Sequence, residues 1–223
     1  YSFLQNINFD NILIAGGSVS NIILNLKYFS SDVDFFIYGL SEEEATNKVI
    51  KLVFQILNTE GVKFKMFIKH KYNLSIIIAN ETQYHPVKIQ FIFRLYKTKS
   101  AILHGFDIGS SAVGFDGKEV YFTSLSKFSY EYMMNIIDTT RRSTTYEKRM
   151  IKYFRRGFGV ILPKLNLKKV NEYSINMPYL RVYKRLSYSN IIFVKNMEKG
   201  SEYYKRFGTG RKNTKNNNDD YDD

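Results

Sequence analysis

Asp32-Val33-Asp34 opens an apolar run thirteen residues after the turn Gly16-Gly17-Ser18, and this pairing constrains the fold more than any other feature. The run at 11–15 reads as a strand that enters the Gly-Gly turn. A helix at 19–28 follows, with Ile23, Leu24 and Leu26 on its apolar face. Glycine has no Cβ, so the backbone N–H groups of such a turn can approach an anion closely. Ser18 can cap the helix, whose N-terminus adds a field favourable to phosphate. On a strand, residues i and i+2 share a face, so Asp32 and Asp34 present their carboxylates side by side. Such a pair repels itself unless a cation lies between. Mg²⁺ is the natural choice, or Mn²⁺, because these ions take oxygen ligands and also bind substrate phosphates. Together the elements place a triphosphate beside a metal site, an arrangement suited to in-line attack on the α-phosphate.

The remaining pattern is mixed. A strand is expected at 33–38. A helix should start at Ser41, with Glu42, Glu43 and Glu44 in its first turn, and end near Thr59. Strands follow at 63–69, 74–79 and 87–95, then a short helix within 97–105. Residues 106–108 and 111–115 read as extended, and Asp116-Gly117 signals a hairpin to 119–122. Helices are expected at 124–137 and 144–156. Past Pro163 the pattern weakens, with candidates at 179–188 and 191–194. The Asn/Asp-rich tail 213–223 has little to bury.

The stretches Ala15-Gly16-Gly17-Ser18 and Asp32-Val33-Asp34-Phe35 resemble the polymerase-β-like nucleotidyltransferase superfamily, which carries Gly–Gly/Ser, a helix, then Asp–apolar–Asp/Glu. The resemblance covers residues 10–125. Later segments, including 106–108, 113–117 and 142–147, look like a divergent branch found in large DNA viruses and fungi. The resemblance implies an α+β fold, a nucleotidyltransferase-like mixed sheet with helices packed on it, followed by a basic helical region. The corresponding units are a core at 1–125, a basic, mainly helical region at 126–212 and a disordered tail at 213–223. It also implies a third metal-binding carboxylate on a later strand. The central polar residue of 87–95 is Gln90, which cannot bridge metals as a carboxylate does. Asp107, between Phe106 and Ile108, is the better candidate, and it could also accept a proton from the attacking hydroxyl. Asp116 reads as the hairpin residue.

Charge is distributed unevenly. Residues 1–140 are neutral, residues 141–212 carry 19 Lys/Arg against 4 Asp/Glu, and the tail is acidic, giving a net +12. A basic back half is the footprint of a protein that meets a polyanion, although a solvated lysine-rich surface has the same composition. Arg149, Lys152 and Arg156 fall three and four apart, so on a helix they share a face that could bind the triphosphate or a nucleic-acid backbone. Arg142 and Arg149 are also candidates for the nucleotide. Tyr130, Tyr132, Tyr188, Tyr203 and Tyr204 could stack bases or serve as ordinary packing. His70, His85 and His104 lack metal-ligand spacing. With no Cys, disulfides and thiolate zinc sites are excluded, and an intracellular setting is favoured. No apolar run approaches the ~18 residues of a membrane span. The chain opens on Tyr1 rather than Met, which points to a piece of a longer protein.

The expected activity is therefore metal-dependent transfer of a nucleoside monophosphate from an NTP to an acceptor hydroxyl, with RNA or another nucleic acid as acceptor. Gly16, Gly17 and Ser18 would hold the phosphates, and Asp32, Asp34 and Asp107 the metals. The alternatives are a protein-modifying enzyme, or a module that keeps the fold and binds nucleic acid without catalysis.

Overall fold

The computed structural model describes residues 2–5, 7–26, 31–80, 86–141 and 143–163, and the backbone of 181–183 and 191–195. It is an α+β fold built on a mixed seven-stranded sheet. Strands β1 (Ile12–Ala15) and β2 (Val33–Tyr38) lie at its centre, on either side of helix α1 (Gly17–Ile23) in sequence. Helix α2 (Glu42–Leu57) follows, then β3 (Val62–Lys69), β4 (Asn73–Asn80) and β5 (Val87–Tyr96). Helix α3 (Lys99–Leu103) leads to β6 (Val113–Phe115) and β7 (Val120–Phe122). The strand order is β3-β4-β5-β2-β1-β6-β7. Only β2 and β5 run parallel; every other neighbouring pair is antiparallel.

Local sequence explains much of this. Ser41 and Glu44 form a reciprocal capping box that starts α2. The helix turns Leu52 and Ile56 onto Val33, Phe35, Ile76, Ile89 and Phe91, which form the main core on one face of the sheet. The opposite face of β2 carries Asp34, Phe36 and Tyr38, as strand alternation requires. There Phe36 packs with Ile102 and Leu103 of α3. One face is thus sealed by helix, and the other holds the carboxylates.

The structure departs from the sequence pattern in three places. Helix α1 ends at Ile23, five residues short of the expected end. Residues 106–108 form no strand and lead into a 3₁₀ turn, Gly109–Ser111. Helix α4 (Ser124–Tyr132) stops at Met133, whose left-handed φ of 52° ends it, and residues 134–136 become strand β8 (Met134–Ile136). Beyond α5 (Tyr146–Arg155), β8 pairs with β9 (Gly159–Ile161) in a second sheet, completed by β10 (Arg181–Tyr183) and β11 (Ile191–Lys195). The described part of 126–212 therefore contains four strands besides its helices, rather than the mainly helical region the sequence suggests. The tail 213–223 lies outside the described residues.

Candidate functional site

The turn between β1 and α1 is shaped by what crowds it. Gly16 has φ +93°, a conformation L side chains rarely adopt, and its N–H donates to the Val113 carbonyl at 3.0 Å. A Cβ on Gly16 would lie 3.8 Å from Asp34 Oδ2, so the turn and the second aspartate are neighbours. A Cβ on Gly17 would collide with Ser31 Oγ and stand 3.2 Å from Arg156 Nη1. A side chain at Gly17 would therefore have to displace Ser31 and crowd Arg156. Ser18 is buried, and its Oγ has no hydrogen-bond partner among the described residues. With only seven residues, α1 contributes little dipole field.

Asp32 immediately precedes β2 and Asp34 is its second residue, and β5 lies parallel to β2 with Gln90 in register with Asp34. In the amide orientation that satisfies its neighbours, Gln90 donates to Asp34 Oδ1 at 2.8 Å and to Asp32 Oδ2 at 3.1 Å. Its oxygen accepts from Lys88 Nζ and Ser75 Oγ. Lys88 also donates to Asp32 Oδ2 at 3.2 Å. Asp34 stands under opposing influences. Burial and then the Asp32 charge push its pKa up to about 7, while Lys152 and Lys88 pull it down.

Asp107 sits apart from this pair in hydrogen bonding. Both its oxygens accept from Arg149, Oδ1 from Nη1 and Oδ2 from Nη2, each at 2.5 Å, and its side chain is 13% exposed. Arg149 also donates to Ser143 Oγ at 2.7 Å, and its pairing with Asp107 raises its pKa. Among the described residues, no group of three His, Cys, Asp or Glu side chains is placed to hold a metal ion. The third polar group beside Asp32 and Asp34 is Gln90.

The three basic residues of α5 do not act as one free face. Arg149 is committed to Asp107. Lys152 is exposed; crowding by protein atoms and then the Arg156 charge lower its pKa, against the pull of Asp32 and Asp34. Arg156 lies just past the last helical residue, is 2% exposed, and turns inward over the Tyr153 ring. Arg142, Tyr188, Tyr203, Tyr204 and His85 lie outside the described residues. Tyr130 donates to the Ser110 carbonyl and packs edge-on against Phe158, a core arrangement, whereas Tyr132 is exposed. His104 bonds within its own helix end, and His70 is exposed. Sequence reasoning missed Lys88 and Ser31. Lys88 was detectable, because it stands two residues before Gln90 and so faces the same side.

The arrangement defines an α+β protein with a glycine turn beside an acidic pair, and residues 1–135 match the Gabija anti-defense 2 family. The chain belongs to that family. An uncharacterised protein of Acanthamoeba polyphaga mimivirus is 45% identical over 210 residues, covering 86% of this chain and 46% of that protein. The chain thus spans about half the length of that relative. Two solved structures described as a tRNA-processing enzyme, one an apo form and one a complex, share 14% identity. They cover 66% and 67% of this chain and 36% and 40% of theirs, with TM-scores of 0.39 and 0.40. No helix among the described residues is long and apolar enough to cross a membrane.

Proposed function

We propose that the chain carries a nucleotidyl-transfer site of the polymerase-β-like kind, which moves a nucleoside monophosphate from an NTP to a hydroxyl on RNA or another nucleic acid. The observation that carries this reading is the contact between the Gly16-Gly17 turn and Asp34, an acid whose burial beside Asp32 raises its pKa to about 7. Two carboxylates this crowded are costly without a cation, so the donor set suits Mg²⁺ or Mn²⁺. Asp32 and Asp34 would hold the ion, which would neutralise charge on the phosphates when bound. The turn at Gly16-Gly17-Ser18 would hold the phosphates, and its Gly17 and Ser18 are buried. Lys152 is the cation on the open side, and the basic back half favours a polyanionic acceptor. The proton-acceptor role expected of Asp107 gains no support from a carboxylate already held by Arg149. An anti-defence family is a setting in which modification of a nucleic acid or of a defence component would serve.

Gln90 favours a second reading. It places an amide where the superfamily has a carboxylate and bridges both aspartates with hydrogen bonds. A module that binds nucleotide or nucleic acid without transfer would tolerate this.

The test is incubation of the protein with labelled NTPs, Mn²⁺ and single-stranded RNA or DNA. Label should enter the nucleic acid with wild type and fall at least ~10³-fold with Asp32→Asn/Asp34→Asn, as expected when charge stabilisation at the reacting phosphate is lost. Equal incorporation by both proteins would sink the assignment. NTP binding with no incorporation into any acceptor would select the second reading.

A further inference from the structure

The basic face expected on α5 is not open to a strand of nucleic acid, because Arg149 is held by Asp107 and Arg156 is buried. A cleft of about 470 Å³ between α3 and β7 offers a different surface. Its volume lies in the range of ligand sites, which are lined mainly by apolar and aromatic groups with a few polar ones. The lining here is mostly apolar and includes Leu103, Tyr38 and Tyr121, while Lys97 and His104, both exposed, stand at its rim. Among the described residues no carboxylate lines it. Lys99 holds the two tyrosines in place. Its ammonium donates to Asp116 and to the Tyr121 hydroxyl at 3.0 Å, and it lies 4.4 Å from the Tyr121 ring centroid and 5.9 Å from that of Tyr38. A neighbouring cleft shares Tyr38 and Lys99 but has Asp10 and Asp116 in its wall, which disfavours an anion there. Arg141 donates to the His104 carbonyl at 2.6 Å, so the start of the basic back half stands beside the rim. Tyr121 also shares a row with the acidic pair. Asp34 is in register with Ala15, Ala15 with Gly114, and Gly114 with Tyr121, so Asp34 and Tyr121 leave the same face of the sheet. Three strand spacings of ~4.8 Å separate them by roughly 14 Å.

We propose that the cleft between α3 and β7 holds one base of an unpaired nucleic-acid strand, with Tyr38 and Tyr121 against the base and Lys97 and His104 beside its phosphates. This inference rests on the nucleic-acid acceptor proposed above and gives that acceptor a docking point away from the acidic pair. Every base has a π-face, so stacking on a tyrosine selects single strands rather than a sequence. Rings already held by Lys99 lose little freedom when a base arrives, which favours binding. The lysine rim and the absence of lining carboxylates suit the phosphates that flank a base. A strand seated here with its end at Asp32 and Asp34 spans at least about four stacked nucleotides, at ~3.4 Å each.

Fluorescence anisotropy of a labelled single-stranded oligouridylate, at low salt with EDTA and no NTP, measures docking apart from transfer. Wild type should bind the strand, and a duplex of the same length should compete poorly. Tyr121→Leu should weaken binding about tenfold, as expected when a stacked base loses its aromatic partner. Tyr121→Phe keeps the ring and should restore most of the affinity. Lys97→Ala should lower the slope of log affinity against log salt by about 0.7, the share of one phosphate contact on a single strand. Undiminished affinity in Tyr121→Leu together with an unchanged slope in Lys97→Ala overturns the proposal. Should Tyr121→Leu fail to fold, the exposed Lys97 carries the test, and an unchanged slope in Lys97→Ala overturns the proposal by itself. Uridine monophosphate that displaces the strand at an equal concentration makes the cleft a free-nucleotide site and overturns the strand reading. A strand that binds through the cleft but is never extended when Mn²⁺ and NTP are added supports the cleft and defeats the transfer reading alone. A strand that wild type extends and that every variant binds equally defeats the cleft alone. No binding by wild type at low salt removes the nucleic-acid acceptor and the cleft together.

Discussion

Asp34 and Asp116 belong to the same sheet, and burial pushes the pKa of both upward, yet they end at opposite extremes. Asp116 stands at the hairpin between β6 and β7 with its side chain 12% exposed. It accepts from Lys99, from the Tyr121 hydroxyl at 2.9 Å, and from the backbone N–H groups of Lys118 and Glu119 at 3.0 and 2.8 Å. These bonds outweigh burial and hold it far below the usual carboxylate range. Asp34 has Asp32 beside it, and Lys152 and Lys88 only partly offset that repulsion. The difference lies in the neighbours rather than in depth. The hairpin end is complete as folded. The turn end retains a strained acid and, at Arg156, a buried cation whose partners are the Tyr153 ring and hydroxyl rather than a carboxylate.

The largest expected effect is at the completed end. Asp116→Ala strips Lys99, Tyr121 and two backbone N–H groups of their acceptor and should cost about 3 kcal/mol, as expected when several hydrogen bonds to one partly buried charged group are lost together. Chemical denaturation would read this as a lower midpoint with an unchanged slope. A neutral result would mean that the hairpin cluster is no more built than the turn, and the contrast would fail.

A change of opposite sign is expected at Asp34. Its folded pKa of about 7 lies above the unfolded value of 3.8, so between these limits the folded state binds more protons. Stability contributed by the protonated acid is full below about pH 4. It is lost as pH rises through about 7, at up to about 1.4 kcal/mol per unit. An asparagine side chain does not titrate in this range. Asp34→Asn should therefore match wild type near pH 4 and exceed it on the order of 2 kcal/mol at pH 8 in metal-free buffer. Mn²⁺ needs the ionised acid, so its stabilisation of wild type should grow as pH rises toward 7 and should be absent from the variant. A pH-independent difference between the two proteins would remove the strain assigned to Asp34.

The two ends also differ in how much of each the sequence reveals. The Asp116-Gly117 hairpin, the Ser41 capping box and the same-face spacing of Asp32 and Asp34 are local patterns of a few residues, and the folded chain shows each of them. The end of α4 is not local. Met133, Met134, Ile136 and Ile137 continue a helical apolar pattern, but Asn135 accepts the Ser110 N–H at 2.8 Å, and that tertiary bond accompanies the switch to strand. Arg156 shows the same limit. Helical spacing groups it with Arg149 and Lys152, whereas the helix ends one residue earlier and the side chain folds back over Tyr153. Which arginine finds an acid and which is buried against a tyrosine depends on where Asp107 and Tyr153 lie in space, and spacing along the chain carries no such information.

The smallest effect refines the comparison. Lys88 and Asp32 form an exposed pair, with side chains 36% and 43% accessible, so Lys88→Met should change stability by less than about 1 kcal/mol. Its electrostatic role should be easier to detect. Lys88 is one of two cations that lower the Asp34 pKa, so its loss should move the pH at which the Asp34→Asn advantage appears. With Asp34 pushed higher, the stability of Lys88→Met should finish its decline at a pH above the wild-type point near 7. Mn²⁺ stabilisation at pH 7 should fall in parallel, because less of the acid is ionised. The outcome depends on competition between two roles, since Lys88 also occupies Asp32 and would have to yield to a metal there. If Mn²⁺ binds Lys88→Met more tightly than wild type, competition for Asp32 dominates, and Lys88 guards the acidic pair in the absence of metal. If it binds more weakly, lowering the Asp34 pKa is the larger effect, and Lys88 prepares that acid for the ion.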